Sequence, residues 1–345
     1  MNAPQRTVSV IVPCRNERRY IERFCANALQ QTPPAGWGLQ LVVADGESDD
    51  GTRELLQRLA AHDPRIVWIA NPARIVSTGL NAALKLADGE IIVRMDVHTD
   101  YAPDYVAQCL AVHAETGADN VGGPWHAVPD EGAGAMQQAI AAAFQSRWVA
   151  GGAASRRLDF DGWVDTVYLG SWPRASFERF GGFDEQLVRN QDDEHNLRIV
   201  KGGGRVWQSS RIRSTYRPRA ALSQVFRQYL QYGYWKPFVM KKHGQAASLR
   251  HLLPSVLVGG FLGLSLALPF GLWWPMLAWG LMYAAAVLAL TASVALEQRP
   301  SPAALLRVPA VIAAYHVGYG IGNLFGWWDA LRHGRGRARF AALTR

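Results

Sequence analysis

Two adjacent stretches without a single charged residue, 252–274 and 276–296, constrain this chain more than any other feature. Each exceeds the roughly 20 residues that carry an α-helix across a bilayer. Trp273 and Trp274 suit the level of the lipid headgroups, and Pro275 separates the runs. A buried core helix is the plainer alternative, and two neighbouring charge-free runs of this length speak against it. A third run, 309–328, carries His316 and several glycines and is weaker. It spans, re-enters or lies on the surface.

The charge is divided along the same line. Residues 1–194 hold 17 Lys and Arg against 26 Asp and Glu, a net of −9. Residues 195–345 hold 19 against two, Glu297 and Asp329, a net of +17. A basic half points to nucleic acid or to an anionic surface. Here the basic stretch runs straight into the apolar runs, which favours membrane lipids, and no basic motif of a nucleic-acid module accompanies it. We therefore expect no nucleic-acid partner. The three cysteines, Cys14, Cys25 and Cys109, lack metal-site spacing and give no disulfide framework. The first apolar run, 8–12, is too short for a signal-peptide core. The N-terminal half is thus expected in the cytoplasm. The basic tail with Arg332, Arg335, Arg337 and Arg339 is expected there too. Both ends on one side require an even number of spans, so the rule conflicts with three apolar runs. At least two spans are expected, and the third run stays open.

The first 120 residues alternate β-rich and helical patterns. Strands are expected at 8–12, 39–44, 66–70 and 91–95. Helices are expected from Asn16 to about Gln30, then at 52–62, 77–87 and 102–114. This rhythm gives an α/β fold with a mostly parallel sheet covered by helices. In such sheets ligands sit beyond the carboxyl ends of the strands. Asp45 and Asp96 each follow a strand by one residue, so both carboxylates belong to one edge. Residues 221–240 space Phe226, Tyr229, Tyr232, Tyr234 and Phe238 as on a helix, with Arg227 and Lys236 among them. That helix lies at a membrane interface or packs on the preceding domain.

Asp96-Val97-His98 places two potential ligands two residues apart. In an extended segment they point the same way and can hold one divalent cation. A capping Asp beside a surface His is the alternative. The context adds weight. Val10-Ile-Val-Pro-Cys-Arg-Asn-Glu17 closes strand one, and Ala44-Asp-Gly-Glu-Ser-Asp-Asp-Gly-Thr52 closes strand two. Asn71 to Leu84 opens the third helix, and Arg94-Met-Asp-Val-His98 closes strand four. Gly181-Gly-Phe-Asp-Glu185 and Asn190-Gln-Asp-Asp-Glu-His-Asn-Leu-Arg198 follow. In this order and spacing the six segments resemble the family 2 inverting glycosyltransferases. The catalytic domain of that family has the GT-A fold, a nucleotide-binding sandwich. The resemblance covers roughly residues 6–240 and looks closest to the succinoglycan-type exopolysaccharide glucosyltransferases.

That resemblance implies a GT-A domain over 1–240, with a possible interfacial helix at 220–245. Membrane helices over 250–330 and a basic cytoplasmic tail would follow. It implies an enzyme at the cytoplasmic face of the membrane. The reaction would move a hexose from a nucleotide-sugar donor, UDP-glucose, to a lipid-linked glycan acceptor. The donor rests on resemblance alone, and GDP-mannose and UDP-N-acetylglucosamine stay open. Pro13 and Glu17 would line the uridine pocket, and Asp45 would accept from the base, unless it is only the turn residue before Gly46. Arg74 would pair with the diphosphate. Asp96 and His98 would hold a divalent metal cation, Mn²⁺ over Mg²⁺ because imidazole is the softer ligand. Asp192 matches the catalytic base, although the motif usually reads Glu-Asp and here reads Gln191-Asp192, so Asp193 competes for the role. Asp193, Trp235 and Lys236 are the acceptor-side candidates. Processive members carry Gln-x-x-Arg-Trp; Gln231-Tyr-Gly-Tyr-Trp235 departs from it, which implies one sugar per acceptor. Two rivals stand beside this assignment: a polyprenyl-phosphate sugar synthase, and a non-catalytic scaffold that binds glycan or nucleotide.

Overall fold

The computed structural model describes residues 6–245, 249–334, 336–337 and 340. Of the basic tail, Arg335 and Arg339 lie outside the described residues. The elements run β1 (Arg6–Cys14), α1 (Ile21–Leu29), β2 (Trp37–Asp45), α2 (Thr52–His62), β3 (Ile66–Ala70), α3 (Val76–Leu86), β4 (Ile91–Arg94) and β5 (Thr99–Tyr101). Next come α4 (Tyr105–Thr116), β6 (Asn120–Gly123), β7 (His126–Ala127), α5 (Ala135–Gln145), β8 (Gly162–Val164), β9 (Tyr168–Pro173), α6 (Arg174–Phe180) and α7 (Gln191–Lys201). The chain continues through β10 (Val206–Gln208), β11 (Ser214–Tyr216), α8 (Leu222–His243), α9 (Leu253–Ser265), α10 (Trp274–Gln298), α11 (Pro302–Leu305) and α12 (Val308–Arg332).

Two compact units divide these elements. The first holds residues 1–126 and 157–216; the second holds 127–156 and 217–345. A boundary near residue 240 therefore does not follow the packing, because α5 and α8 both belong with the C-terminal helices.

In the first unit an eight-stranded sheet has the order β3-β2-β1-β4-β9-β6-β10-β8. The half β3-β2-β1-β4 is parallel, as the strand-helix rhythm requires. Beyond β4 the directions mix: β9 is antiparallel to both β4 and β6. Alternation along β1 serves two cores. Val8, Val10 and Val12 pack with α1, α2 and α4 on one face, while Ile11 packs with α3, α6 and α7 on the other. β1 runs past Pro13 to Cys14, beyond the expected stop. Its pairing with β4 ends at Ile11, so the missing proline N–H breaks no ladder on that side. Asn16 does not cap α1. Its backbone is left-handed (φ 55°), and α1 begins only at Ile21.

In the second unit α8 and α12 lie side by side with their backbones nearly touching. A Cβ added at Gly318, Gly322 or Gly326 would collide with the carbonyls of Phe226, Leu230 and Tyr234 in turn. Small residues four apart permit this approach, and polar groups fasten it. Tyr234 donates to Asp329 Oδ2 at 2.8 Å, and Lys241 Nζ donates to the Ala330 carbonyl at 2.5 Å. Among the described residues three helical segments are long and apolar enough to cross a membrane, Leu253–Phe270, Trp274–Gln298 and Pro302–Arg332. The first two are 11% buried, the third 44%. Leu266, Phe270, Trp273, Trp274, Leu281 and Leu296 of the first two stand exposed.

One buried histidine ties the pH range of stability to the sheet. His113 of α4 sits between the Ala118 carbonyl (3.2 Å) and Ser171 Oγ of β9 (3.1 Å). Burial holds its ring neutral and pushes its pKa down to about 4. As pH falls below 6.5 the unfolded chain takes up a proton that the folded chain refuses, so stability is lost. Between pH 7 and pH 5 that amounts to about 2 kcal/mol. Thermal melts at the two pH values should show a smaller acid shift for His113→Gln than for the wild type. Equal shifts would place the acid sensitivity elsewhere.

Candidate active site

The parallel half of the sheet presents the ends of β1, β2 and β4 along one edge, and loops stitched by side chains close over them. Ser48 Oγ receives the Asn16 N–H (2.8 Å), and Asn16 Oδ1 receives the Asp49 N–H (3.0 Å). Asp45 ends β2 fully buried. Its carboxylate accepts from Ser48 Oγ at 2.5 Å and from Arg53 Nε at 2.9 Å. It thus anchors its own loop, and a base could reach it only if Ser48 turned away. Pro13 lies half-buried beside Ala44 on the same edge. Arg74 forms an ion pair with Glu47, Nε to Oε2 2.8 Å, and both have left-handed backbones.

Asp96 and His98 do not lie in an extended segment. The Thr99 N–H closes on the Asp96 carbonyl at 3.1 Å, which makes a turn. Val97 points into the core, while Asp96 stays partly exposed and His98 is exposed. The Tyr101 hydroxyl holds the turn by accepting the Asp96 N–H at 2.6 Å. His98 Nε2 meets Glu17 Oε1 at 2.6 Å, and the Tyr20 ring edge backs the imidazole at 5.2 Å. Glu17 is thereby committed to His98. A carboxylate on one ring nitrogen fixes the orientation of a ligating histidine.

Arg94, the last residue of β4, was not singled out by the motifs, yet it organises the site. Two residues before Asp96, it turns its buried guanidinium onto that carboxylate with two bonds of 3.1 Å. Its Nη1 lies 3.9 Å from Asp192 Oδ2 and has no hydrogen-bond partner among the described residues. Burial opposes the charge on Arg94, but Asp96 and Asp192 more than restore it, and its pKa is raised. Asp192 responds in kind. Burial raises its pKa, Arg94 opposes that rise, and Asp193 adds to it. Asp193 faces Thr166 instead, at 3.4 Å.

The third-helix and glycine motifs carry Asp192 to this place. Asn81 of α3 exchanges two 2.8 Å bonds with the backbone of Phe183, and Ser77 Oγ donates to the Leu187 carbonyl at 3.0 Å. The segment from Gly181 is thereby pinned across α3. Asn190 then enters α7 with a left-handed backbone (φ 62°), and Asp192 falls in the first turn. Arg198 fixes the other side through Glu194 and the Phe180 carbonyl. Trp235 and Lys236 belong to the helical unit and are buried there. The Trp235 indole N–H donates at 3.1 Å to the carbonyl of Phe340, beyond the end of α12, so its ring packs within this unit.

Comparison with known proteins gives this geometry a context. Residues 9–172 match the family model described as glycosyl transferase family 2. The succinoglycan biosynthesis protein ExoA of Rhizobium meliloti (strain 1021) is 32% identical over 273 residues, 76% of this chain and 81% of that protein. The chain belongs to glycosyltransferase family 2. It is also similar to a Methanococcus voltae dolichyl N-acetylglucosaminyl phosphate glycosyltransferase, 24% identical over 68% of this chain and 74% of that protein. Among solved structures it resembles the mannosyltransferase PcManGT from Pyrobaculum calidifontis, solved with GDP-Man and Mn²⁺. The TM-score is 0.58 at 23% identity, over 93% of this chain and 87% of that one. That likeness supports the GT-A-like sheet with following apolar helices.

Among the described residues no three His, Cys, Asp or Glu side chains gather into a metal cage. Asp96 and His98 nevertheless fit a cation shared with a substrate. Such ions take one or two protein ligands and complete their shell with phosphate and water. A carboxylate holding two Arg94 bonds keeps further lone pairs.

Removing the guanidinium should destabilise the fold as well as the site. Arg94→Ala is expected to cost about 2–4 kcal/mol, below the full price of a broken buried pair because Asp96 and Asp192 keep some contact with water. Arg94→Lys should recover less than half, since an ammonium cannot copy the two-pronged bond. Denaturation midpoints of the purified variants measure both.

Proposed function

We propose that this family 2 enzyme catalyses inverting, non-processive transfer of a hexose to a lipid-linked oligosaccharide in exopolysaccharide assembly. UDP-glucose is the proposed donor. The observation that carries the proposal is the buried Arg94 guanidinium with Asp96 on one side and Asp192 on the other. A single displacement needs a base beside the incoming hydroxyl and positive charge beside the departing diphosphate, which Asp96 would supply by holding a cation. Asp192 serves as general base. It takes the acceptor proton as the new bond to the anomeric carbon forms and the bond to the diphosphate oxygen breaks. Its raised pKa suits it for that proton. The unbonded Arg94 Nη1 offers a donor to a substrate oxygen between the two acids. A divalent cation held by Asp96 and His98 would supply Lewis-acid stabilisation of the leaving diphosphate. Glu17 orients His98. The likeness to a succinoglycan protein supports exopolysaccharide assembly and a glucose donor. The missing Gln-x-x-Arg-Trp motif and the packing role of Trp235 support transfer of a single sugar.

Membrane attachment follows from the second unit. α9 with its short continuation, and then α10, form a hairpin of two spans. α12 does not cross. It is zipped along α8, whose Arg227, Lys241 and Lys242 are exposed, and a spanning α12 would drag those charges into hydrocarbon at about 2.5–3.5 kcal/mol each. α8 and α12 instead form a slab at the cytoplasmic interface. Two spans reconcile the basic tail with the positive-inside rule.

Nucleotide release from a panel of nucleotide sugars, with lipid-linked acceptors and Mn²⁺, tests the chemistry. One donor should dominate, and Asp192→Asn should lower kcat by about 10²-fold or more. The acid limb of kcat/KM should lie above the ordinary carboxylate range, because the base works only when deprotonated and burial raises its pKa. Arg94→Gln should move that limb further alkaline by removing the opposing charge. A limb that stays in place would remove Asp192 from the role.

Cysteine accessibility in intact spheroplasts tests the topology. Leu272→Cys should react with an impermeant maleimide from outside, whereas Arg332→Cys should react only after permeabilisation. External labelling of Arg332→Cys would establish a third span.

A further inference from the structure

A relay of side-chain hydrogen bonds runs through the first unit and ends one residue from the proposed base. It starts in the sheet, where the Ser171 N–H of β9 donates to Asn120 Oδ1 of β6 at 3.1 Å. Asn120 Nδ2 donates to Asn196 Oδ1 of α7 at 2.6 Å, and Asn196 Nδ2 donates to Thr166 Oγ1 at 3.0 Å. Thr166, in the connection between β8 and β9, donates in turn to Asp193 Oδ1 at 3.4 Å. Ser171, Asn120 and Asn196 are at most 1% exposed.

The first bond fixes the direction of the relay. A backbone N–H can only donate, so the Asn120 oxygen must face Ser171 and its nitrogen must face Asn196. Asn196 then receives on oxygen and gives through nitrogen. Thr166 accepts that bond, and its single proton is left for Asp193. Four bonds thus point one way, each polarising the next, and a carboxylate is the acceptor that suits their end.

The backbone is shaped around this relay. Leu169 and Gly170 both have positive φ, 62° and 102°, where the pairing of β9 with β6 slips between Val121 and Gly123. Such a backbone at a non-glycine residue persists only where its surroundings impose it. A Cβ at Gly170 would stand 2.8 Å from Asn120 Oδ1 and 2.6 Å from the Trp172 ring, so only glycine leaves room for the amide. The same segment carries Tyr168, whose hydroxyl meets Thr99 Oγ1 at 3.1 Å, next to His98. Residues 166–171 therefore touch α7 on the base side and the Asp96–Thr99 turn on the cation side. Asp193 and Asn196 lie about one turn apart on α7, so their bonds with Thr166 grip one face of the helix. Asp192 stands about 100° further round and approaches Arg94.

We propose that Thr166 and Asn196, oriented by Asn120, are positioning residues of the transfer reaction: they commit Asp193 to the scaffold and fix the turn of α7 from which Asp192 works. This rests on Asp192 being the base. Asp193, its neighbour and the rival for its role, anchors the helix and does not take the acceptor proton.

Nucleotide release by the full-length protein, measured against donor concentration at saturating acceptor, tests the positioning. Thr166→Val keeps the shape and removes the hydroxyl. It should lower kcat by at least about tenfold while donor KM stays within about twofold. Thr166→Ser should restore most of that kcat. Wild-type kcat in Thr166→Val would overturn the proposal, as would an equal loss in Thr166→Ser. Thermal melts test the bonds without any turnover. The melting shifts of Thr166→Val and Asp193→Asn should sum to more than the shift of the double variant, and so should those of Thr166→Val and Asn196→Ala. Additive shifts would overturn the relay. Asp192→Asn separates the relay from the proposed base. If Asp192→Asn loses turnover and Thr166→Val keeps it, the relay alone fails. If Asp192→Asn keeps turnover, the base fails and the positioning role falls with it.

Discussion

The buried guanidinium of Arg94 is the interaction on which the rest of the site depends. Its position follows from register: β4 ends at Arg94, paired with Ile11 of β1, and the chain then turns to bring Asp96 back onto the same guanidinium. One cation thereby stabilises two carboxylates that come from distant parts of the chain. Without it Asp96 and Asp192 would face one another across a partly dry edge, where like charges repel strongly and one would hold its proton. The loop from Gly181, pinned by Asn81 and Ser77, matters for the same reason, since it delivers Asp192 to within 3.9 Å of Arg94.

A different constraint governs the helical unit. Two helices whose glycines let backbone meet backbone cannot be separated cheaply, and one of them carries exposed cations. The interfacial placement proposed for α12 rests on this pairing. Hydropathy alone treats 309–328 as a candidate span, because it weighs each segment without its packing partner. The partner is 90 residues away in sequence, so no local window shows the coupling.

Much was nevertheless legible from the chain. The bounds of α2 and β3 follow directly from periodicity and turn residues, and β1, β2 and β4 differ by a residue or two at their ends. The edge shared by Asp45 and Asp96 follows from the parallel order. What escaped depends on side-chain partners. Asp-x-His suggested an extended pair, yet the structure makes a turn, because Tyr101 supplies a hydroxyl to the Asp96 N–H. Glu17 was expected on the nucleotide side, and its contact with His98 could not be read from the sequence. Arg94 could have been found by the same spacing of two that selected Asp96 and His98. Its charge looked like an ordinary strand end only because its second partner, Asp192, lies almost a hundred residues further on. Trp235 sits beside the membrane in sequence and packs against the chain beyond α12 in space.

These pairings bear on how the site would receive a doubly charged diphosphate. Arg53 is joined to Asp45, Arg74 to Glu47, and Arg94 to Asp96. These three arginines at the strand edge each already have a carboxylate, within a half of the chain whose net charge is −9. Those three cannot neutralise a diphosphate with their full charge unless ion pairs first break, one of which is buried. A donor that enters together with a divalent cation brings its own neutralisation and leaves those pairs intact. The proposed cation therefore does more than polarise a leaving group: it brings the donor to an acidic half of the chain without breaking those three pairs.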